Sequence, residues 1–188
     1  MGGEADKAAP FYFTKSPCHY VPSGTQLEYP QGTQNFHYEM ELVIAMGSDA
    51  FNVSKEDAHS TIFGYCNGLD MTRRDLQKAV REKGRPWDIA KDFEQSCVLS
   101  EIVPANTCGH FTEGSITLSV NGETKQNSDI SLLINNVAEI IENLSTYYRL
   151  RAGDLIMTGT PAGVGAVVSG DKIVGCIEGL GEISATVV

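Results

Sequence analysis

The stretch "NFHYEMELVIAMG", residues 35–47, constrains this chain more than any other. It sets Glu39 and Glu41 two positions apart at the head of an apolar run that reads as a buried strand. Charged groups entering a core are costly unless they are paired or bound to a metal. Period 2 puts Glu39, Glu41 and Val43 on one face and Met40, Leu42 and Ile44 on the other, with Gly47 as the end. Residues i and i+2 of a strand lie roughly 6.6 Å apart. Two partly desolvated carboxylates at that spacing resist simultaneous ionisation unless a cation lies between them. A solvated strand face carries the same pattern, so the pair needs a further partner to become a site.

That partner is offered by "GYCNGLDMTRRDLQ", residues 64–77. Asp70 falls where a Gly-containing apolar strand ends, and Arg74 and Gln77 follow closely. Two Glu and one Asp form an all-oxygen set that suits Mg²⁺, Mn²⁺ or Ca²⁺ rather than zinc or copper. Three protein ligands leave positions for substrate and water. "TRRDLQ" also reads as an ordinary surface helix start. In "GRPWDIAKDF", which holds the single Trp87, Lys91 is isolated among the apolar Ile89, Ala90 and Phe93. It either neutralises a substrate carboxylate or oxyanion, or snorkels to the surface. "TGTPAGVG", residues 158–165, lacks the Lys and spacing of a Walker loop. It reads instead as a tight turn whose backbone N–H groups and Thr160 hydroxyl face a bound anion. His19, His37, His59 and His110 form no triad or HxxxH pattern and read as structural, with His37 placed near Glu39.

At 188 residues the chain fits one domain, a flexible lead-in over 1–10 followed by a single unit over 11–188. Its 24 acidic and 14 basic residues give a net charge of −10, which repels nucleic acid and anionic membrane surface as partners. Five scattered cysteines without a CxxC pair read as reduced thiols of a cytoplasmic protein. The longest aliphatic run, Leu42 to Met46, is too short to span a bilayer, and the N-terminus has no signal-peptide pattern. "FYF" at 11–13 reads as a short strand. Ser54 opens a capping-box-like helix that Gly64 closes. "GSITLSVNGETKQ" is a hairpin around a type I′ Asn121-Gly122 turn. Ile130, Leu133, Ile134, Val137, Ile141 and Leu144 recur at helical spacing, with Ser128 as cap. "DLIMTGT", "DKIVGCIEG" and "EISATVV" read as three further strands. The expected class is therefore β-rich α+β with one substantial helix.

"YEMELVIAMG", "GYCNGLDMTRRDLQ", "GRPWDIAKDF", "VNGETKQ" and "GDLIMTGTPAGVG" occur in an order and spacing that resemble the small single-domain members of the fumarylacetoacetate hydrolase family. The likeness runs from Phe11 to Val188. The "RRDLQ…GRPWDIAK" version is most similar to the branch that acts on fumarylpyruvate in gentisate breakdown, and acylpyruvases with oxaloacetate decarboxylase activity are very similar here. The resemblance implies a mixed β-roll, commonly a homodimer. It implies that Glu39, Glu41 and Asp70 hold Mg²⁺ or Mn²⁺. Arg74, Gln77, Lys91 and Thr160 would contact a small keto-acid or dicarboxylate substrate, with Lys91 also carrying charge in the cleavage of a C–C bond between two carbonyls. Relatives of this type open on a stretch similar to G-x-N-Y-x-x-H-x-x-E-x-G, whose His and Glu activate water. Met1-Gly2 aligns with its close, so a chain lacking that pair is expected. The alternatives are an oxaloacetate decarboxylase or acetylpyruvate hydrolase using the same site, and a metal and dicarboxylate binder without turnover. In "CVLSEIVP", Glu101 departs from the family's preferred turn and is expected at the pocket rim.

Overall fold

The computed structural model describes residues 10–188, so the predicted lead-in lies, apart from Pro10, outside the described residues. In chain order the strands are β1 (Tyr20–Pro22), β2 (Gln26–Leu27), β3 (Phe36–Tyr38), β4 (Met40–Met46), β5 (Ile62–Asp70), β6 (Thr72–Arg73) and β7 (Cys97–Leu99). They continue with β8 (Val103–Pro104), β9 (Ser115–Val120), β10 (Glu123–Asp129), β11 (Leu155–Met157), β12 (Gly165–Val167), β13 (Lys172–Ile177) and β14 (Gly181–Val187). The helices are α1 (Lys55–Ala58), α2 (Arg74–Glu82), α3 (Asp88–Lys91), α4 (Ala105–Cys108) and α5 (Val137–Tyr147). One sheet runs β1-β7-β5-β4-β11 with β8 added on β5; a second runs β10-β9-β13-β14-β2; a third runs β12-β3-β6. The β1–β7 and β14–β2 pairs are parallel and the other ladders antiparallel. This is the mixed β-roll the sequence led us to expect.

The feature that positions the site is a bent ribbon. β4 pairs with β5 in the first sheet, while β3 pairs with β6 in the third. Single residues, Glu39 on one strand and Met71 on the other, separate the two ladders. The ribbon therefore passes from sheet to sheet at these positions, and the Asp70 N–H donates to the Glu39 carbonyl at 2.9 Å across the bend. Met40, Leu42 and Ile44 enter the main core, whereas Val43 joins Cys66 and Leu99 in a smaller cluster on the other face. The period-2 reading holds. Every residue of β4 is buried.

Three elements differ from expectation. Ser54 does cap α1, but the helix ends at Ala58 and passes through one 3-10 turn into β5. Gly64 lies inside that strand, where a Cβ would sit 2.3 Å from the Val103 carbonyl oxygen of β8. It is needed for close strand approach rather than for helix termination. The long helix begins at Val137, not after Ser128. Ser128 and Asp129 are paired to Ile116 and Ser115 in the β9–β10 ladder, and Asn136 with Glu139 forms a complete capping box. "FYF" makes no ladder; Phe11 and Phe13 instead pack on Trp87, with ring centroids 4.7 and 5.8 Å away. The predicted hairpin is present, with Asn121 and Gly122 at φ 53° and 80°, the signs that a type I′ turn requires.

The 158–164 loop is fastened from several sides. The Thr158 N–H and hydroxyl both donate to the Leu42 carbonyl, at 3.1 and 2.9 Å. Gln126, fully buried on β10, donates to Thr160 Oγ1 and the Pro161 carbonyl at 2.8 and 2.9 Å and accepts from the Met40 N–H at 3.1 Å. The Tyr38 hydroxyl donates to the Gly163 carbonyl at 3.0 Å. Gly163 has φ +100°, and a Cβ there would lie 2.1 Å from the Lys125 carbonyl oxygen. Gly163→Ala should therefore lower stability by about 1–3 kcal/mol, read as an earlier urea midpoint. An unchanged midpoint would mean that the loop does not press on β10.

Candidate active site

The bend brings together the three carboxylates that the sequence singled out. Glu39, Glu41 and Asp70 are 7%, 4% and 1% exposed. They offer oxygens that all lie within 4.8 Å of one another. Three anions packed this closely out of water strongly oppose full ionisation. Glu41 shows the strain most: burial, and then Asp70 and Glu39, push its carboxyl up from 4.5 to about 8. The Gly159 N–H, 2.6 Å from Glu41 Oε2, works in the opposite direction. The anion met by the 158–165 turn is thus one of the protein's own carboxylates. The Thr160 hydroxyl is held by Gln126.

Cations answer the other two. Lys91, at the end of α3, is 1% exposed, so it does not snorkel. Its ammonium donates to Glu39 Oε2, Asp70 Oδ2 and Thr72 Oγ1 at 2.7, 2.6 and 2.7 Å, using all three N–H groups. Burial alone would lower its pKa, but Asp70 and Glu39 outweigh burial and hold it above the ordinary range. Arg74, the first residue of α2, bonds Glu39 Oε1 and Gln77 Oε1 through its two terminal nitrogens. Its Nε donates to His37 Nδ1 at 3.4 Å. His37 therefore sits beside Glu39, as its parity suggested. Burial, then Arg74 and Lys78, lower its pKa to about 4.

Lys15 was not foreseen. Its ammonium lies 2.8 Å from Asp70 Oδ1 and donates to the Ser96 carbonyl at 3.0 Å and to the Lys91 carbonyl. Thr14 and Ser16 flank it in the sequence, so nothing there distinguishes it from a surface lysine. The Phe13 ring covers Lys91 with its centroid 5.1 Å from Nζ. Glu101, by contrast, is exposed and does not line the cavity, so the rim role expected of it is not supported. The five cysteines are unpaired. Burial raises Cys66 and Cys97 to about 12 and 11, which leaves no thiolate nucleophile beside the carboxylates.

The donor set fits a divalent cation. Asp70 Oδ1 is buried without a hydrogen bond, its contact with Lys15 being off-angle. Among the described residues Glu41 has no ion pair, only the Gly159 N–H. A hard cation would engage both groups. All three carboxylates open on a cavity of about 1320 Å³, which Gln77, Lys91, Thr160 and the Phe11–Lys15 segment also line.

A family model described as the fumarylacetoacetate (FAA) hydrolase C-terminal matches residues 2–188. The chain belongs to the fumarylacetoacetate hydrolase family. Within it, the chain is 59% identical over 190 residues to a fumarylpyruvate hydrolase of a Ralstonia species, covering 100% of this chain and 98% of that one. It is 39% identical over 171 residues to the mitochondrial oxaloacetate tautomerase of Homo sapiens, covering 91% and 77%. A crystal structure of fumarylpyruvate hydrolase from Pseudomonas aeruginosa in complex with Mn²⁺ and pyruvate superposes with a TM-score of 0.95 at 47% identity, over 97% of this chain and 80% of that one.

Two outcomes follow for this family member. Lys91→Met strands Glu39 and Asp70 and should cost about 3–5 kcal/mol of stability in EDTA. Thermal melts should show a smaller loss in Mn²⁺, and equal losses in both would mean that no cation reaches the carboxylates. Glu41 supplies the pH dependence. Its folded value lies above its ordinary 4.5, so the folded state holds the extra proton, and metal-free stability falls as pH rises from about 4.5 to 8. The slope is at most about 1.4 kcal/mol per pH unit. Because metal binding expels that proton, the Mn²⁺-induced rise in Tm should be larger at pH 8 than at pH 5.5.

Proposed function

We propose that this chain is a divalent-metal-dependent hydrolase that cleaves a C–C bond in acylpyruvates, converting fumarylpyruvate to fumarate and pyruvate. The observation that carries the reading is the buried Glu39–Glu41–Asp70 cluster with the Lys91 ammonium set inside it. The likeness to fumarylpyruvate hydrolases supports it over nearly the whole chain. Residues 11–188 act as one catalytic domain.

Glu39, Glu41 and Asp70 would hold Mg²⁺ or Mn²⁺, with Ca²⁺ also matched by an all-oxygen set. The bound cation supplies Lewis-acid polarisation of a keto oxygen. Water delivers its hydroxyl to the acyl carbon and its proton to the departing CH₂, which becomes the methyl group of pyruvate. Lys91 balances the enolate charge that develops on the pyruvyl half. Arg74 and Gln77, three residues apart on one helix face, hold the substrate's carboxylate and keto oxygens, and the Thr160 hydroxyl completes the contacts. Phe11, Phe13 and Trp87 form an apolar wall that limits water near Lys91.

The reading extends to a cytoplasmic homodimer acting in aromatic breakdown through gentisate. Exposed Leu132, Ile134, Tyr148 and Leu155 around the cavity mouth support a second copy as partner. No helix among the described residues is long and apolar enough to cross a membrane.

Incubating the protein with fumarylpyruvate and Mg²⁺ should release pyruvate, measured by coupled NADH oxidation. EDTA should stop the release and Mn²⁺ restore it. No pyruvate with either metal overturns the reading. The human relative supports action on oxaloacetate at the same site as a second reading. Faster turnover of oxaloacetate than of fumarylpyruvate would favour it.

A further inference from the structure

This acidic chain concentrates its positive charge in one place. Of its 14 Lys and Arg residues, Arg73, Arg74, Lys78, Arg81, Lys83 and Arg85 all fall in one short stretch, against Asp75 and Glu82. α2 spaces Arg74, Gln77, Lys78 and Arg81 at i, i+3, i+4 and i+7, so they share a face. With His37 and Val164 they line a second cavity, of about 300 Å³. Gln77 lines both this cavity and the large one that holds the carboxylates. The small cavity thus meets the large one at Gln77, while Arg74 lines the small cavity alone and reaches Glu39 with its guanidinium.

The cations at the centre serve the carboxylate cluster and, in the proposed reaction, the pyruvyl half. Lys91 and Arg74 bond Glu39, and Lys15 lies against Asp70. Arg149, elsewhere in the large cavity, lies over the Phe51 ring at 4.4 Å. Lys78 and Arg81 make no ion pair among the described residues. Asp75 is turned away to accept from the Thr33 hydroxyl and the Gln34 N–H. Two uncommitted cations beside the site, on a chain of charge −10, are placed to receive an anion.

We infer that this small cavity is the subsite for the far carboxylate of the acyl half, and that Lys78 and Arg81 select a diacid chain over a monoacid one. The inference rests on the acylpyruvate reading. With the pyruvyl end at the carboxylate cluster, a fumaryl chain ends in a second carboxylate that needs its own cation. An acetyl chain ends in a methyl group and does not.

Both side chains are exposed, so their replacement spares the fold. The test compares K78Q, R81Q and the double variant with the parent on fumarylpyruvate and acetylpyruvate. The ratio of kcat/KM for the diacid to that for the monoacid should fall roughly tenfold for each cation removed, chiefly through KM. An unchanged ratio overturns the subsite, even if both rates fall. Calorimetric titration of fumarate into the Mg²⁺-loaded protein gives a readout without turnover. Its Kd should weaken by the same factor in the double variant, and equal Kd values also overturn the subsite. A parent protein silent on both acylpyruvates counts against the acylpyruvate reading alone, and the fumarate titration still decides the subsite.

Discussion

The mutual repulsion of three buried carboxylates is the constraint around which this structure is organised. Glu39, Glu41 and Asp70 would drift apart into solvent in a looser scaffold. Here each is fixed by backbone, not by a flexible loop alone. Glu41 is set in the fully buried β4, Asp70 is the last residue of β5, and Glu39 stands between two ladders tied across by the Asp70 N–H. The surrounding groups each offset part of the repulsion. Lys91 bridges Glu39 and Asp70, Arg74 takes the outer oxygen of Glu39, and the Gly159 N–H takes Glu41. Glu41, which has no ion pair among the described residues, and Asp70 Oδ1, which Lys15 faces without a hydrogen bond, are the groups a dication would complete.

Fastening the far loop belongs to the same problem. Gly159 can aim its N–H at Glu41 only while residues 158–163 stay pressed onto β4 and β10. Leu42, Gln126 and Tyr38 each hold one part of that loop. Gln126 does so from inside the core, where an amide survives only because both its ends find partners. Gln126 on the second sheet and Tyr38 on the third thereby help to set the electrostatics of a carboxylate on the first.

Much of this was legible in the sequence, and the failures have physical reasons. Strand parity placed Glu39 and Glu41 on one face, and the hairpin at Asn121-Gly122 followed from turn chemistry alone. The bend at Glu39 was not visible, because residues 36–46 alternate as one unbroken strand and only pairing with two different partners divides them. Ile130, Leu133 and Ile134 mimicked helical spacing, yet Ile134 is exposed and the true start is written in Asn136 and Glu139. The aromatic triplet at 11–13 reads as a strand, yet the Phe11 and Phe13 rings cover Trp87, and Phe13 also covers Lys91. Lys15 and Gln126 escaped notice because a single polar residue shows its role only once its neighbours in space are known.

The charge layout completes the argument. A chain of net charge −10 that buries three carboxylates together must reverse its own field locally. It does so chiefly with cations from one sequence region, Arg74 through Lys91, delivered by α2 and α3 soon after the strand that supplies Asp70, and with Lys15 added from the N-terminal segment. Ligand and counter-charge thus arrive on consecutive elements, with only the two-residue β6 between β5 and α2. That continuity explains how Lys91 can be buried among carboxylates without destabilising the sheet. Asp70 and the helix that carries its counter-charge are close in the sequence, while Glu39 reaches the same ammonium from the bend before β4.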